Sequence, residues 1–379
     1  MLYCFEFVPD LSVIKKMCMT AQSQSQKAPL ACIMPWKALY MDECDGSLAA
    51  LPCCLSWSRS TYGAIGSASL HELWNSRGAQ KIRQLIADGQ HQEICDPYCP
   101  YLMSGRYSEA ALHIVDGPPE FVENQKLNLT EIQNRQIVLR SSPMLLKIIP
   151  TLRCNLRCSM CYQDHYSPIN LGPHFWQETK QLLPFTHEIT FQGGEATIDR
   201  RFRSFLTSAL FRAQPHVRIS LITNGTVFDA RLVDILAQAK MNYVIISLNA
   251  ATRNTYSHIT KKDIFDATLE NIKRWIAFAE DHQRGTFDIF LSFVVMRSNF
   301  LELPQFIRLA ESLGANIQLL HVIGNRNNED IFCSGTHASA LREVLDESKI
   351  AARGAARDQV ERIKTIFEAQ VKQARTCSN

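Results

Sequence analysis

The chain of 379 residues lacks the features that define several classes of protein. It contains no apolar stretch that approaches the roughly 18 to 20 residues of a membrane span. Residues 1–25 show no sustained apolar run followed by a cleavage site, which a secretory signal peptide would have. The formal net charge is only +3, so charge alone does not indicate a nucleic acid or an anionic membrane as a partner. We therefore expect a cytoplasmic protein with no membrane span and no nucleic-acid partner.

Cysteine, in contrast, is abundant, with 13 residues in the chain. Clustered cysteines without a secretion signal are more typical of metal ligands than of disulfides. Cys154, Cys158 and Cys161 form a C-x3-C-x2-C run directly after the apolar segment 144–149. A [4Fe–4S] cluster needs four ligands, so three cysteines leave one iron open to a non-protein ligand. This run therefore predicts a metal-binding iron–sulfur site that takes part in catalysis rather than in electron storage alone.

Short apolar segments alternate with amphipathic ones between Met144 and Asn325. The predicted strands are 144–149, 188–192, 217–222, 243–248, 287–295 and 316–322. The predicted helices include 201–212, 230–239, 263–280 and 301–313. Such alternation indicates parallel βαβ units and an α/β fold, a partial (β/α)6 barrel. In barrels of this kind, functional groups collect at the carboxyl ends of the strands.

Polar or glycine residues follow the predicted strands at that end. They are Gly193, Gly194 and Glu195 after the second strand, Thr223 and Asn224 after the third, and Ser247 and Asn249 at the fourth. Glycines allow a ligand to approach the backbone closely, and a carboxylate accepts hydrogen bonds from an ammonium group. Hydroxyl and amide groups suit ribose hydroxyls or a carboxylate. Taken singly, each segment is also compatible with an ordinary turn, so their convergence on one mouth of the barrel carries the prediction.

The cysteine run, with Met160 before its third cysteine, and the Gly-Gly-Glu segment at 193–195 together resemble the radical S-adenosylmethionine (radical SAM) superfamily. The resemblance covers about residues 144–324. It implies an oxidoreductase-type or transferase-type enzyme whose [4Fe–4S] cluster binds S-adenosyl-L-methionine (SAM) through the methionyl amino and carboxylate groups. It further implies reductive cleavage of SAM to a 5′-deoxyadenosyl radical that abstracts hydrogen from a substrate. An electron donor such as flavodoxin or ferredoxin is the implied partner.

The resemblance also assigns roles to single residues. It places Tyr162 beside the adenine, the Gly-Gly-Glu segment at the SAM amino group, and a polar residue of the fourth strand end at the ribose or carboxylate. Relatives often have an arginine after Tyr-x-x-Ile that pairs with the SAM carboxylate. Here Thr260 occupies that place, so we expect Lys261 or Lys262 to serve as a point charge instead.

Residues 31–102 hold six cysteines of their own. Asp45-Gly46 between short apolar segments predicts a hairpin that brings Cys32 and Cys53 together. The helix-like stretch 69–87 would then return the chain to Cys95 and Cys99, and four thiolates can hold a second cluster or a zinc ion. The series, including Trp74-Asn75, resembles a SPASM auxiliary-cluster domain, although here it precedes the barrel. Cys53 fits the ligand position better than Cys54.

The remaining segments complete the predicted organisation. We expect a disordered extension at 1–30, a bridge at 103–142, the barrel at 143–325 and a helical tail at 326–379. A zinc site with His165 as fourth ligand is the main alternative for the cysteine run. A peptide or protein side chain is the leading substrate class, and a sugar, nucleotide or lipid-linked small molecule is the second. A non-catalytic iron–sulfur or zinc-binding protein is a third possibility of another class.

Overall fold

A single mixed sheet organises the protein. The computed structural model describes residues 30–44, 46–104, 113–163, 171–282, 285–322, 326–332 and 337–376. The strands are β1 (Ala38–Cys44), β2 (Ser47–Leu51), β3 (Gly63–Ala64), β4 (Leu145–Ile148), β5 (Glu188–Phe191), β6 (Arg218–Thr223), β7 (Lys240–Ser247), β8 (Asp288–Val295) and β9 (Asn316–His321). Their order in the sheet is β3-β2-β1-β4-β5-β6-β7-β8-β9. The predicted extension lies outside the described residues, apart from Leu30.

The barrel part confirms the predicted α/β architecture. Strands β4 to β9 are parallel and each pairs with the next, so all six predicted strands are present. The edge strands of the sheet, β3 and β9, do not pair with each other. The sheet is therefore not closed, and the barrel is partial. The connecting helices α5 to α11 are Pro173–Leu182, Arg200–Leu206, Ala209–Arg212, Ala230–Ala237, Arg253–Thr260, Phe265–Glu280 and Leu303–Leu313. Of these, Pro173–Leu182 and Arg253–Thr260 lie outside the predicted segments named above. Arg253–Thr260 has only a weak apolar pattern, because only Tyr256, Ile259 and Thr260 of its eight residues are buried.

The two faces of the sheet have different surroundings. Leu221, Val244 and Leu291 belong to the main apolar core beneath the helices. Residues one position away along β6 and β7, Ile222 and Tyr243, belong to a small separate cluster. Because side chains alternate along a strand, the second set faces the inside of the barrel. The inner face is thus the one on which the sites described below are found.

The amino-terminal hairpin is part of the barrel sheet. Strands β1 and β2 pair antiparallel as the Asp-Gly signal predicted, and Gly46 has a φ of +80°. Strand β1 also pairs in parallel with β4, a contact that no local pattern indicated. The helices of this segment are α1 (Leu70–Trp74), α2 (Arg77–Ala87) and α3 (Pro100–Ser104), followed by α4 (Pro119–Gln133). Ser76 caps α2 and separates it from α1, so the predicted stretch 69–87 is two helices.

The amino-terminal segment also reaches the far edge of the sheet. The ring of Trp57 lies 5.7 Å from the ring of His321 at the end of β9. The helical tail, α12 (Ala338–Ala351) and α13 (Gly354–Thr376), packs beside the same strand, where Gln359 Nε2 donates to the Ile317 carbonyl. Residues from both ends of the described chain therefore meet at the open side of the barrel.

Candidate functional site

The cysteine run lies directly after β4, at the carboxyl end of the sheet, and is anchored by the end of helix α9. Arg157 N donates to the Thr260 carbonyl at 3.1 Å, and Ser159 N donates to the Ile259 carbonyl at 2.9 Å. The last carbonyls of a helix have no partner within the helix, so the loop satisfies them while the helix fixes the loop. Main-chain hydrogen bonds therefore anchor the run to the end of helix α9.

A cavity of about 670 Å³, partly open to solvent, lies beside this loop. The predicted residues in its wall are Cys154, Cys158, Cys161, Tyr162, Gly193, Gly194, Thr223, Asn224, Ser247 and Asn249. Leu156, Met160, Gln163, Gln192 and Ile222 complete the wall. The structure thus brings together residues from four separate loops that the sequence placed at strand ends.

The cysteines of the run are half-buried, and two hydrogen-bond donors lie near Cys154. Leu156 N lies 3.4 Å and Asn224 Nδ2 lies 3.7 Å from Cys154 Sγ. Burial raises the pKa of Cys154 to about 11, and burial with the neighbouring Cys161 and Cys154 sulfurs raises the pKa of Cys158 as well. Buried thiols therefore stay neutral unless a cation compensates the thiolate charge, which bound iron does as protons are released. This donor set fits an iron–sulfur cluster.

Two glycines of the loop after β5 also belong to the wall. A Cβ atom at Gly193 would lie 2.5 Å from the Thr151 carbonyl oxygen, and one at Gly194 would lie 2.2 Å from the Arg153 carbonyl oxygen. Gly193 also has a φ of +150°, which side chains rarely permit. The loop after β5 therefore packs directly on the backbone that leads to Cys154, and any side chain there would displace it.

Glu195 does not line the cavity. Its side chain contacts the loop after β6 instead. Its carboxylate accepts hydrogen bonds from Thr223 Oγ1 at 2.7 Å, Asn224 N at 2.7 Å and Thr197 Oγ1 at 2.6 Å. Burial raises its pKa despite these bonds. The carboxylate thus holds the loop after β6 in place, and that loop carries the Asn224 amide to Cys154.

The fourth strand end supplies the hydroxyl of a half-buried serine and one constrained amide. Ser247 and Asn249 both line the cavity. Asn249 has a φ of +57°, and its Oδ1 accepts a hydrogen bond from Val294 N at 2.9 Å. Lys261, with a φ of +60°, ends helix α9 and lines a neighbouring pocket together with Ser159. The charge of Lys261 lowers the pKa of Cys158, although burial and the neighbouring sulfurs raise that pKa by more. Lys261 therefore lies near the Cys158 sulfur.

A buried polar chain joins the cavity to the amino-terminal hairpin. Tyr162 Oη donates to Asp42 Oδ1 at 2.5 Å, and Lys147 Nζ lies 3.1 Å from Asp42 Oδ2. The Lys147 and Asp42 side chains are only 1% and 5% exposed. Asp42 and Lys147 were missed because their role depends on the pairing of β1 with β4, which places residues 105 positions apart in contact.

The four predicted auxiliary cysteines also share one cavity. Cys32, Cys53, Cys95 and Cys99 line a space of about 620 Å³. Burial raises the pKa of Cys53 well above its usual value, and the nearby Cys32, Cys99 and Cys95 sulfurs add to this. Cys54 is buried and disulfide-bonded, whereas Cys53 is a free thiol. Ile222 belongs to the walls of both cavities, so the two sites are neighbours.

The zinc alternatives require closer ligands than a cluster does. A zinc ion draws its sulfur ligands to about 2.3 Å from one centre, whereas a cluster of four irons spreads its ligands over a larger body. Within the ranges that the structure describes, no three Cys, His, Asp or Glu side chains lie close enough to hold a single metal ion. His165 lies outside those ranges.

Curated relatives match slightly less than half of the chain. A probable GTP 3′,8-cyclase of Saccharolobus solfataricus is 29% identical over 190 residues, which are 47% of this chain and 58% of the relative. The tungsten-containing aldehyde ferredoxin oxidoreductase cofactor-modifying protein of Pyrococcus furiosus is 27% identical over 180 residues, 45% of this chain and 49% of the relative. The chain therefore spans about half the length of the curated relatives that it matches.

Solved structures show partial similarity. Streptococcus suis SuiB bound to precursor peptide SuiA has a TM-score of 0.45 and 14% identity, covering 74% of this chain and 62% of that one. The structure of anSMEcpe with bound AdoMet has a TM-score of 0.41 and 19% identity, covering 48% of this chain and 52% of that one.

None of the helices in the described ranges has both the length and the apolar character of a membrane span.

The family comparison falls on the segment that contains the cavity. Residues 148–289 match the model of the radical SAM superfamily. The segment includes the cysteine run, the two glycines and the fourth strand end, which all contribute to one wall. The expected cofactor class, SAM with a [4Fe–4S] cluster, is thereby confirmed. The chain contains a domain of the radical SAM superfamily.

Proposed function

We propose that the protein reductively cleaves SAM and uses the resulting radical to abstract hydrogen from a peptide or protein side chain. The observation that carries this proposal is that three cysteines, two glycines and Ser247 line one cavity. Structural thiols would need no open space beside them, whereas a ligand on an open iron does. A cytoplasmic location is part of the proposal.

Cys154, Cys158 and Cys161 would hold the cluster, and its open iron would face the cavity. The chemistry that such a cluster supplies when bound is one-electron cleavage of SAM to methionine and a 5′-deoxyadenosyl radical. The Leu156 amide and the Asn224 side chain donate toward Cys154, which stabilises negative charge on that sulfur.

The other wall residues would position SAM. Gly193 and Gly194 present main-chain groups without a side chain in the way, which suits the methionyl end of SAM. Ser247 supplies a hydroxyl for the ribose or carboxylate. The Tyr162 ring lines the cavity while its hydroxyl is held by Asp42, so the ring is pre-oriented for contact with the adenine. Glu195 would act indirectly, by holding Thr223 and Asn224.

The auxiliary cavity supports the choice of substrate class. Cys32, Cys53, Cys95 and Cys99 would hold a second cluster, and modules of this kind are common in relatives that modify peptides. Because the auxiliary cavity adjoins the SAM cavity, the second cluster would be able to accept an electron from a product radical or to anchor the substrate. A nucleotide is the second candidate, favoured by the similarity of 47% of the chain to a probable GTP 3′,8-cyclase.

Anaerobic reconstitution tests the reaction class. We expect roughly eight irons per chain if both sites hold cubane clusters and roughly four if only the first does. Dithionite with SAM should then yield 5′-deoxyadenosine, and Cys158→Ala should abolish the yield. Cys44→Ala is a matched control, because Cys44 is also a half-buried cysteine but lies at the end of β1. Stoichiometric zinc without iron would disprove the proposal and favour a zinc-binding protein, and iron without SAM cleavage would favour an electron carrier.

Isotope transfer separates the substrate classes. Deuterated peptides and deuterated GTP are incubated with the reconstituted protein, SAM and dithionite. Deuterium in 5′-deoxyadenosine from a peptide supports the leading proposal, and deuterium from GTP alone replaces it with the nucleotide reading. Mass spectrometry of 5′-deoxyadenosine gives the answer directly.

A further inference from the structure

A second face of the cysteine loop borders a pocket that the proposed reaction does not use. The pocket has a volume of about 820 Å³ and is lined by Ser159, His258, Lys261, Arg297, Ser298, Asn327 and Glu329. Ser159 lies within the cysteine run, and the next residue, Met160, lines the SAM cavity. Successive residues of the loop therefore face two separate spaces, one on each side of the candidate cluster.

The charge exposed in this pocket is positive. His258, Lys261 and Arg297 are all exposed. Glu329, the acidic residue in the wall, is only 4% exposed, and its carboxylate accepts hydrogen bonds from Ser159 Oγ and Ser298 N at 3.0 Å each. Its charge is thus turned inward onto the cysteine loop and away from solvent.

The basic surface continues around the loop. Arg153 and Arg157 in the run and Lys262 after α9 are exposed as well. The exposed Asp263 nearby is held by Arg253, with Arg253 Nε 2.6 Å from Asp263 Oδ1. The formal charge of the whole chain is only +3, yet basic side chains are concentrated where the cysteine run reaches the surface.

We infer that this pocket and its basic rim are the docking surface for an acidic one-electron donor protein of the flavodoxin or ferredoxin class, an inference that rests on the proposed function. Such a donor would lose one electron, and the cluster held by Cys154, Cys158 and Cys161 would gain it. An electron can cross the thickness of the loop, whereas a substrate has to reach the SAM cavity itself. A position behind the loop therefore suits electron entry better than substrate binding, and opposite charge steers the encounter.

A charge-reversal pair tests this surface in the anaerobically reconstituted full chain. His258→Glu with Arg297→Glu changes the formal charge of the rim by about three units, and Lys261 is left intact because it lies near Cys158. The matched control, His71→Glu with Arg357→Glu, makes the same change at exposed positions of α1 and α13. Circular dichroism confirms that both variants are folded.

The first readout is the Kd of an acidic flavodoxin, measured by calorimetry. We expect the rim variant to bind about tenfold more weakly than the unaltered protein in about 50 mM NaCl and within about twofold of it in about 500 mM NaCl. The control pair should bind like the unaltered protein. No binding to the unaltered protein, or equal weakening by both variants, would overturn the inference.

The second readout separates this inference from the proposed function. Dithionite needs no protein docking, so SAM cleavage with dithionite should proceed in the rim variant as in the unaltered protein, while flavodoxin-driven cleavage falls. If dithionite yields no 5′-deoxyadenosine with any variant, the proposed function fails. If dithionite and flavodoxin both serve the rim variant normally, only the docking surface is wrong.

Discussion

Replacement of Gly194 by alanine would test whether close backbone packing holds the cysteine loop. Gly194 has no positive φ, so alanine is allowed by its backbone conformation. The cost arises from space alone: the new Cβ would lie 2.2 Å from the Arg153 carbonyl oxygen and 2.3 Å from that of Leu152. The first distance is about 1.2 Å short of ordinary van der Waals contact, and backbone atoms cannot swing aside as a flexible side chain can.

The magnitude follows from two opposing effects. Overpacking typically costs about 1–3 kcal/mol, and rigid backbone neighbours favour the upper end of that range. The loss of chain entropy in the unfolded state returns about 0.4–1 kcal/mol. We therefore expect Gly194→Ala to lower the free energy of unfolding by about 2 kcal/mol and to shift residues 152–153, next to Cys154, so that less iron is incorporated.

Urea unfolding and iron content after anaerobic reconstitution measure the two effects. Gly172→Ala is the matched control, because Gly172 precedes α5 with a φ of −68° and a Cβ there meets nothing within 4 Å. The control should keep its iron content. If Gly194→Ala unfolds and binds iron as the unaltered protein does, the loop is not held by this contact and the reasoning is refuted.

Two further predictions concern buried charge. Asp42→Asn leaves Lys147 buried without its anionic partner, so urea unfolding should show a loss of about 3–5 kcal/mol, and the double variant with Lys147→Met should recover part of it; an unchanged midpoint would contradict this. Burial lowers the pKa of His321 from 6.5 to about 4, so between these pH values the unfolded chain binds a proton that the native chain does not. The contribution of His321 to the free energy of unfolding should therefore fall by up to about 3 kcal/mol as pH drops from 6.5 to 4. His321→Phe should flatten that slope, and an equal slope in the variant would exclude His321 as its source.

Local patterns predicted most of the barrel and of the site. The six parallel strands have continuous apolar segments, because both of their faces are buried, and such segments are recognisable in a single sequence. The groups at the strand ends could be placed at one mouth because parallel strands bring their carboxyl ends to the same edge. Thus Cys154, Gly193 and Ser247, which are far apart in the chain, were expected together and do line one cavity.

Contacts between distant segments could not be predicted in this way. The hairpin was expected from Asp45-Gly46, but its parallel pairing with β4 depends on hydrogen bonds between main chains, which are the same for every residue type. That pairing creates the Tyr162–Asp42–Lys147 chain. Likewise, the Glu195 motif was recognised, but the direction of its carboxylate was decided by the neighbouring loop.

The amino-acid sequence alone thus determined the groups on which the proposed function rests: three thiols, glycines beside them and a barrel to hold them. Residue types and short-range periodicity carry that information, since they depend on neighbours a few positions away. Tertiary structure determined which side of the cysteine loop faces the SAM cavity and which faces the basic pocket. The reason is physical, because the direction of a loop is set by what packs against it, here the end of α9 and the buried Glu329.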